Sequence, residues 1–416
     1  MTKISRLLLG VAITALTATA VNAQTLKLYT WREQEKPLWD YISENDLLGD
    51  IDIEVVWIQG ENYDSKLRID LGSNAPDIFQ GRAGANWLQT YIDAGIITPQ
   101  TNLPLGNIAP AALFAAQGGD GKVYGVPFAM QMESIIYNTK VLADNGIEAD
   151  FDSLEAMEAA FAQLHDAGVT PMAFGAAAGW WLNQVTGEVM TAGMLSDEEA
   201  QGLIAGTTCF TDDAFVATLE AVDRWNKAGY LGYSPLADDY GAMRTAVALG
   251  EAAMMIDGVW SSGPASPMYQ IDPELELGFM AVPGKNAKVY AFGDGSYLAN
   301  ANSDQQEAIA KVMEFATTKE FAELFAQKVG ELPAYGKDYT IEDPRLQSVA
   351  NMIATNSLSV TPFFANSLNS GSPSYGELVA AGYQELIAGD ITPQDLAQKI
   401  QDGLNSWGYV GTQSCN

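Results

Sequence analysis

Five tryptophans, Trp31, Trp87, Trp180, Trp181 and Trp260, fall where the sequence predicts strand ends or loops, and they are the residues best suited to meet a ligand. An indole offers a wide apolar face while polar neighbours fix orientation, which suits a ligand with an apolar face and polar edges, such as a sugar ring. Any one of them alone could equally be a packing residue. Trp180 and Trp181 are adjacent, and neighbours cannot share one side of a strand or one stripe of a helix, so one of the pair is expected at a cleft. Trp260 closes the segment 250–260. There, residues 252–256 form a short apolar run between Gly250 and Asp257-Gly258. Such a run reads as a strand covered on both faces, with the indole just past its carboxyl end, the side of an α/β sheet where ligands sit.

Covalent and metal chemistry find less support. Hydrolytic triads and imidazole zinc sites mostly use histidine, and the one histidine, His165, lies in an amphipathic helical tract. No GxxxxGK[ST] loop or GxGxxG turn opens the first helix, and no acidic loop has the calcium-binding spacing. No metal or cofactor is therefore expected. Two carboxylates suffice for a glycosidase, but 52 Asp and Glu make candidate pairs uninformative. Asp238-Asp239 and Asp294 fit sugar-hydroxyl acceptors, helix caps and solvated charges equally well. No catalytic residue is assigned.

An α/β chain is needed to hold these positions. Residues 25–31 alternate as a first strand ending at Trp31, a helix follows Pro37, and residues 53–58 form a second strand. Residues 63–71 read as a helix and 77–80 as a third strand. This βαβαβ opening implies a mainly parallel sheet. Further strands are expected over 134–138, 252–256, 277–281 and 296–299. Helices are expected over 86–94, 154–167, 213–228, 305–316, 319–329, 344–355, 375–388 and 393–409. The 416 residues, 48% hydrophobic, can supply two cores, and no short repeat suggests a solenoid.

Lys3 and Arg6 precede an apolar stretch over 7–20 and the small or neutral residues Val21-Asn22-Ala23, so residues 1–23 read as a secretory signal peptide. The stretch is too short to span a bilayer, and no later run reaches about 18 apolar residues. No cysteine follows the cleavage point to carry a lipid. The expected location is a Gram-negative periplasm. In that oxidising compartment Cys209 and Cys415 are expected to form a disulfide, with two unlinked thiols as the alternative. The net charge of −31 disfavours nucleic acid and anionic lipid as partners. Its acids are scattered among apolar residues, as suits solubility in salty surroundings.

Four groups of residues carry a resemblance. They are Tyr63-Asp64-Ser65-Lys66-Leu67 with Asn74-Ala75-Pro76-Asp77-Ile78-Phe79, residues 121–127 with Tyr137-Asn138-Thr139-Lys140, segment 250–260, and Gly330-Glu331-Leu332-Pro333-Ala334. In that order, and over nearly the whole mature chain, the sequence resembles the extracellular solute-binding proteins of carbohydrate ABC transporters, the maltose-binding-protein-like group. The resemblance implies a two-lobe, type II-like periplasmic binding protein fold. Each lobe would be a mainly parallel sheet flanked by helices, joined by a hinge of several crossings. Crossings near Tyr137-Asn138, 293–297 and 332–337 would give an N-terminal lobe of 24–137 plus 297–335 and a C-terminal lobe of 138–296 plus 336–416. Both cysteines would share the second lobe.

By the same resemblance, Trp260 corresponds to the sugar-stacking aromatic and Trp31 to the first-strand loop residue. Asp77 and Gln80 would end the third strand, with Arg82 a carboxylate-recognising or acid-paired neighbour. Gln131 and Glu133 would lie near the first crossing. Trp180, Trp181, Asn183, Asp239 and Tyr240 would come from the second lobe, and Gly293, Asp294 and Gly295 from the return crossing, where glycine permits close approach of ligand. The implied protein is a non-catalytic monomer that captures a sugar in the interlobe cleft, a di- or short oligosaccharide or else a monosaccharide, and delivers it to an inner-membrane permease. The alternatives are the same scaffold binding a polyol, glycerol phosphate derivative or uronate, and a secreted carbohydrate-active enzyme.

Overall fold

The computed structural model describes residues 24–264, 266–336, 338–357, 363, 367–409 and 415. The signal peptide read in residues 1–23, and Lys337 at the third expected crossing, lie outside the described residues. In chain order the strands are β1 (Gln24–Thr30), β2 (Ile51–Trp57), β3 (Ile78–Arg82), β4 (Val126–Pro127), β5 (Ala129–Asn138), β6 (Thr170–Ala173), β7 (Ala252–Gly258), β8 (Leu277–Met280), β9 (Tyr290–Gly293), β10 (Gly295–Ala299) and β11 (Leu332–Pro333). One sheet has the order β2-β1-β3-β10-β4, and the second runs β11-β5-β7-β6 with β8 and β9 also paired to β5.

Both sheets are mixed, with a larger antiparallel share than the βαβαβ opening implies. β1 is parallel to β2 and β3, as short helical crossovers require, while β10 runs antiparallel to β3 and β4. In the second sheet β6 and β7 are parallel, and β5 is antiparallel to β7, β8, β9 and β11. Every residue of β7 is buried, as its unbroken apolar run predicts. Pro171 lies in β6, an outermost strand, where a missing N–H disrupts no central ladder.

Helices over Ala85–Asp93, Leu154–Asp166, Asp213–Lys227, Gln306–Phe315, Lys319–Lys328, Pro344–Asn356, Tyr375–Ala388 and Pro393–Asn405 follow the apolar periodicity of the sequence. The helix Tyr375–Ala388 is bounded by its chemistry: Ser374 and Glu377 form a capping box, and Gly389 takes φ +80° beyond its end. Cys209 and Cys415 are disulfide-bonded with Cα atoms 5.5 Å apart, which ties residue 415 to the second sheet's helical layer. Among the described residues no helix is long and apolar enough to cross a membrane.

Among the described residues the chain changes sheet at three points, the last between β10, which ends at Ala299 in the first sheet, and β11, which begins at Leu332 in the second. β4 ends at Pro127 in the first sheet and β5 begins at Ala129 in the second; β9 ends at Gly293 in the second and β10 begins at Gly295 in the first. Tyr137 and Asn138 lie at the far end of β5, beyond the first of these changes. The carboxyl ends of strands in both sheets converge here. Gly295 pairs with Arg82 at the end of β3, and Glu133 pairs with Gly258 at the end of β7. At Gly293 an added Cβ would lie 2.6 Å from the Ala112 carbonyl oxygen, so the glycine there serves the close approach of two chain segments.

Candidate functional site

Arg32, one residue past Trp31, carries a buried guanidinium that meets three carboxylates at this junction. Nε donates to Glu35 Oε1 at 2.6 Å, Nη2 to Glu331 Oε2 at 2.5 Å, and Nη1 to Asp294. Gln131 Nε2 donates to Glu331 Oε2 at 2.5 Å, and Gln34 Nε2 to Glu331 Oε1 at 3.1 Å. Glu35 Oε2 accepts from Gln80 Nε2 and from the Tyr297 hydroxyl, each at 2.7 Å, and Thr30 donates to Gln80 Oε1 at 2.5 Å. One cation thus knits the first sheet to the start of the second. Burial lifts Glu35 and Asp294 above the usual carboxylate range, with the Arg32 charge pulling both back down.

The amide nitrogen of Gln131 faces these carboxylates, which leaves its Oε1 as an acceptor. That oxygen is buried without a protein partner, as is Glu133 Oε2, two residues along the same face of β5. Burial, followed by the charges of Glu188, Asp257 and Asp294, pushes Glu133 well above the usual carboxylate range. A buried polar atom without a partner is costly, and two lie close together here.

Across the β5–β7 pairing lies Trp260, in the turn Val259–Ser262. Its Nε1 donates to Tyr240 Oη at 2.6 Å, and the Tyr240 hydroxyl donates in turn to Asp257 at 3.0 Å. Ser261 also donates to Asp257, at 2.6 Å, and the Arg244 guanidinium lies 4.2 Å from the centre of the Tyr240 ring. Burial raises the Asp257 pKa from 3.8 to about 6, against the hydrogen bond from Ser261. Burial and then the Asp257 charge hold the Tyr240 hydroxyl above its ordinary pKa. Gly258 lies beneath the indole: an added Cβ would run into Cζ3, Cε3 and Cη2 of Trp260. Trp180, 41% exposed, stands edge-on to Tyr240 with centroids 4.9 Å apart.

On the first sheet Trp31 packs edge-on against Tyr63 at 5.1 Å and Phe128 at 6.1 Å. The Arg82 guanidinium sits 4.8 Å from the Trp31 ring centre and is itself held by Asp64 Oδ2, at 2.9 Å from Nε. Trp87 donates to the other Asp64 oxygen at 3.1 Å, which makes it part of the support for Arg82.

Several expected ligand residues lie elsewhere or do other work. The third strand begins at Ile78, so Asp77 precedes it at the end remote from Gln80 and Arg82. Its carboxylate accepts from Lys27 N at 2.8 Å and Ser303 Oγ at 2.6 Å. Trp181 is in the core, its indole donating to the Ile256 carbonyl at 2.9 Å; a helical step of about 100° separates it from Trp180. Asn183 donates to the Gly376 carbonyl at 3.1 Å, and its Oδ1 is buried without a partner. Asp239 caps the helix Tyr240–Ala248 through Ala242 N at 2.8 Å. Gly293 faces Ala112 and Gly295 faces Gly81 and Phe128, so chain packing explains both glycines. Sequence reasoning missed Arg32, Glu35, Glu331, Asp257 and Ser261. Glu331 and Asp257 at least lie inside the segments that carried the resemblance.

The family model described as "Bacterial extracellular solute-binding protein" matches residues 35–323. The chain belongs to this family. The fold of this solute-binding protein is similar to that of a chitin oligosaccharide binding protein, with a TM-score of 0.75 and 22% identity over 92% of this chain and 99% of that one. It is also similar to RafE in complex with raffinose, with a TM-score of 0.72 and 18% identity over 92% and 99% of the two chains. The GacH receptor of Streptomyces glaucescens, solved unliganded and with acarbose, gives a TM-score of 0.73 at 16% identity over 95% and 100%. Identities this low establish the fold. No curated protein sequence matches the chain.

Proposed function

We propose that this solute-binding protein captures a neutral sugar between Trp31 on one lobe and Trp260 with Trp180 on the other, and hands it to the permease of an ABC importer. The observation that supports this reading is that each sheet has an indole just past the carboxyl end of one of its strands. Trp31 follows the carboxyl end of β1, Trp260 follows that of β7, and unpartnered buried oxygens on Gln131 and Glu133 lie on β5, the neighbour of β7. Aromatic faces take the apolar side of a sugar ring while acceptors take its hydroxyls. The relatives named for chitin oligosaccharide, raffinose and acarbose favour a di- or oligosaccharide over a monosaccharide.

Anionic ligands fit less well. Arg32 is engaged by three carboxylates, Arg82 by Asp64, and Arg244 lies on the Tyr240 ring. A uronate or glycerol phosphate would meet two guanidiniums already paired with carboxylates, while Arg244 keeps a buried, unpartnered Nε beside buried acids. In the proposed division the lobes follow the two sheets, so β5 (Ala129–Asn138) and β11 (Leu332–Pro333) go with the second lobe and the first boundary falls near residue 128, not 137. A ligand touching both favours the closed state by its differential affinity, and the permease reads that state. Residues 1–23, taken as a signal peptide, and the Cys209–Cys415 bridge both suit a periplasmic protein.

A thermal-shift panel of neutral saccharides, polyols, uronates and glycerol phosphates tests the reading. A saccharide at ~100 times its Kd is expected to stabilise the protein by about 2.7 kcal/mol. A panel in which only anions stabilise would replace the sugar with an anionic ligand.

A further inference from the structure

Trp57 is an exposed indole that the site described above does not use. It is the last residue of β2 and stands in parallel register beside Thr30, the last residue of β1, at the same sheet end as Trp31. Its Nε1 donates to the Trp31 carbonyl at 3.3 Å, and the next amide, Ile58 N, donates to Thr30 O at 2.9 Å. The ring is therefore fixed at its polar edge yet 47% exposed. The following loop is also tethered to the site, because Arg82, which lies over Trp31, donates through Nη2 to Gly60 O at 3.0 Å. Between these tethers Gln59 presents an exposed amide. Trp31 and Trp57 are thus successive indoles on adjacent strands, with a side-chain amide next to the outer one.

We infer that Trp57 is an outer stacking platform on the first lobe, one strand beyond Trp31, and that it sets a preference for ligands longer than the inner tryptophans can hold. The inference rests on the sugar-binding reading and deepens it from sugar to oligosaccharide. Strands in a sheet lie about 4.8 Å apart, so a one-strand step is close to the length of one pyranose unit. Anchoring of Nε1 keeps the ring in place before ligand arrives, which lowers the ordering cost of using it.

The test is a chain-length series. Chito-, malto- and galacto-oligosaccharide ladders, each from mono- to pentasaccharide, are titrated calorimetrically into wild type, Trp57→Ala and Trp57→Phe. In the ladder that binds, wild-type affinity is expected to rise once the ligand is long enough to reach the outer platform. Trp57→Ala is expected to flatten that rise, with a loss of ~10-fold, the size of one lost aromatic stacking contact, confined to the longer members. Trp57→Phe, which retains an aromatic face, should recover part of the loss. An equal loss at every length, or none at any length, overturns the outer platform while leaving the sugar site intact. A wild type that binds no ladder and no other saccharide refutes the sugar reading and this inference with it.

Discussion

Gly258→Ala probes the second-lobe platform with the smallest change the chain allows. Gly258 has φ −88° and ψ 156°, an extended conformation that alanine adopts freely, so the backbone has no need of glycine here. The new methyl group meets the six-membered ring of Trp260 instead. Carbon atoms pack at ~3.5–4.0 Å, so the ring must retreat by on the order of 1.5 Å. A retreat of that size carries the 2.6 Å bond from Trp260 Nε1 to Tyr240 Oη beyond the ~3.2 Å limit of a good hydrogen bond. Losing the aligned aromatic face should cost about 1–2 kcal/mol of binding, or roughly 5- to 30-fold in Kd. Trp260 is only half-buried and has room to move, so global stability should fall by less than the ~1–3 kcal/mol of an overpacked core. Calorimetric titration of the best saccharide and near-ultraviolet circular dichroism of the free protein read the two effects. Unchanged affinity together with an altered tryptophan spectrum would remove Trp260 from the ligand site.

Three further outcomes follow from the junction and the bridge. Arg32→Met leaves Glu35, Glu331 and Asp294 buried without their cation and should cost ~3–5 kcal/mol in urea unfolding, and a loss below ~1 kcal/mol would mean that the network contributes little. The folded-state pKa of Asp257 is raised from 3.8 to about 6, so its stabilising contribution is full below the unfolded value and is lost as pH rises through the folded one. The difference between wild type and Asp257→Asn, measured near pH 4 and near pH 7, should therefore change by about 2 kcal/mol in favour of Asn at the higher pH; a difference independent of pH contradicts the assignment. Replacing both Cys209 and Cys415 by serine should lower stability by ~2–4 kcal/mol with saccharide affinity unaltered, since the bridge joins segments that carry none of the residues of the proposed site. Weakened binding would connect the bridge to the site.

Strand ends were legible in the sequence because glycine, proline and apolar alternation mark them locally. Trp31 and Trp260 follow β1 and β7 as that pattern implies, and the buried run of β7 matches its residues. Asp77 shows how narrow the margin is. The third strand begins one residue after it, which puts its carboxylate at the opposite end of β3 from Arg82. Adjacency predicted that Trp180 and Trp181 would diverge, but only the packing of the helix decides which one enters the core. Short strands such as β6 and β9 carry too few residues for a period to emerge, and Pro171 argues against β6 until its outermost place in the sheet is known. The Arg32 network was illegible for another reason. Its partners Asp294 and Glu331 lie 262 and 299 residues away, and with 52 acids in the chain no local pattern singles them out. Gly258 reads as a strand-end turn in the sequence, while in the structure it is the floor under an indole.

The most direct test of ligand capture between the lobes is calorimetric titration of the best saccharide into wild type, Trp31→Ala and Trp260→Ala. A ligand that bridges the two sheets predicts a loss of roughly tenfold or more in each variant, with little change in the melting temperature of the free protein. A loss confined to one variant, or affinity unchanged in both, would contradict a site built from both lobes.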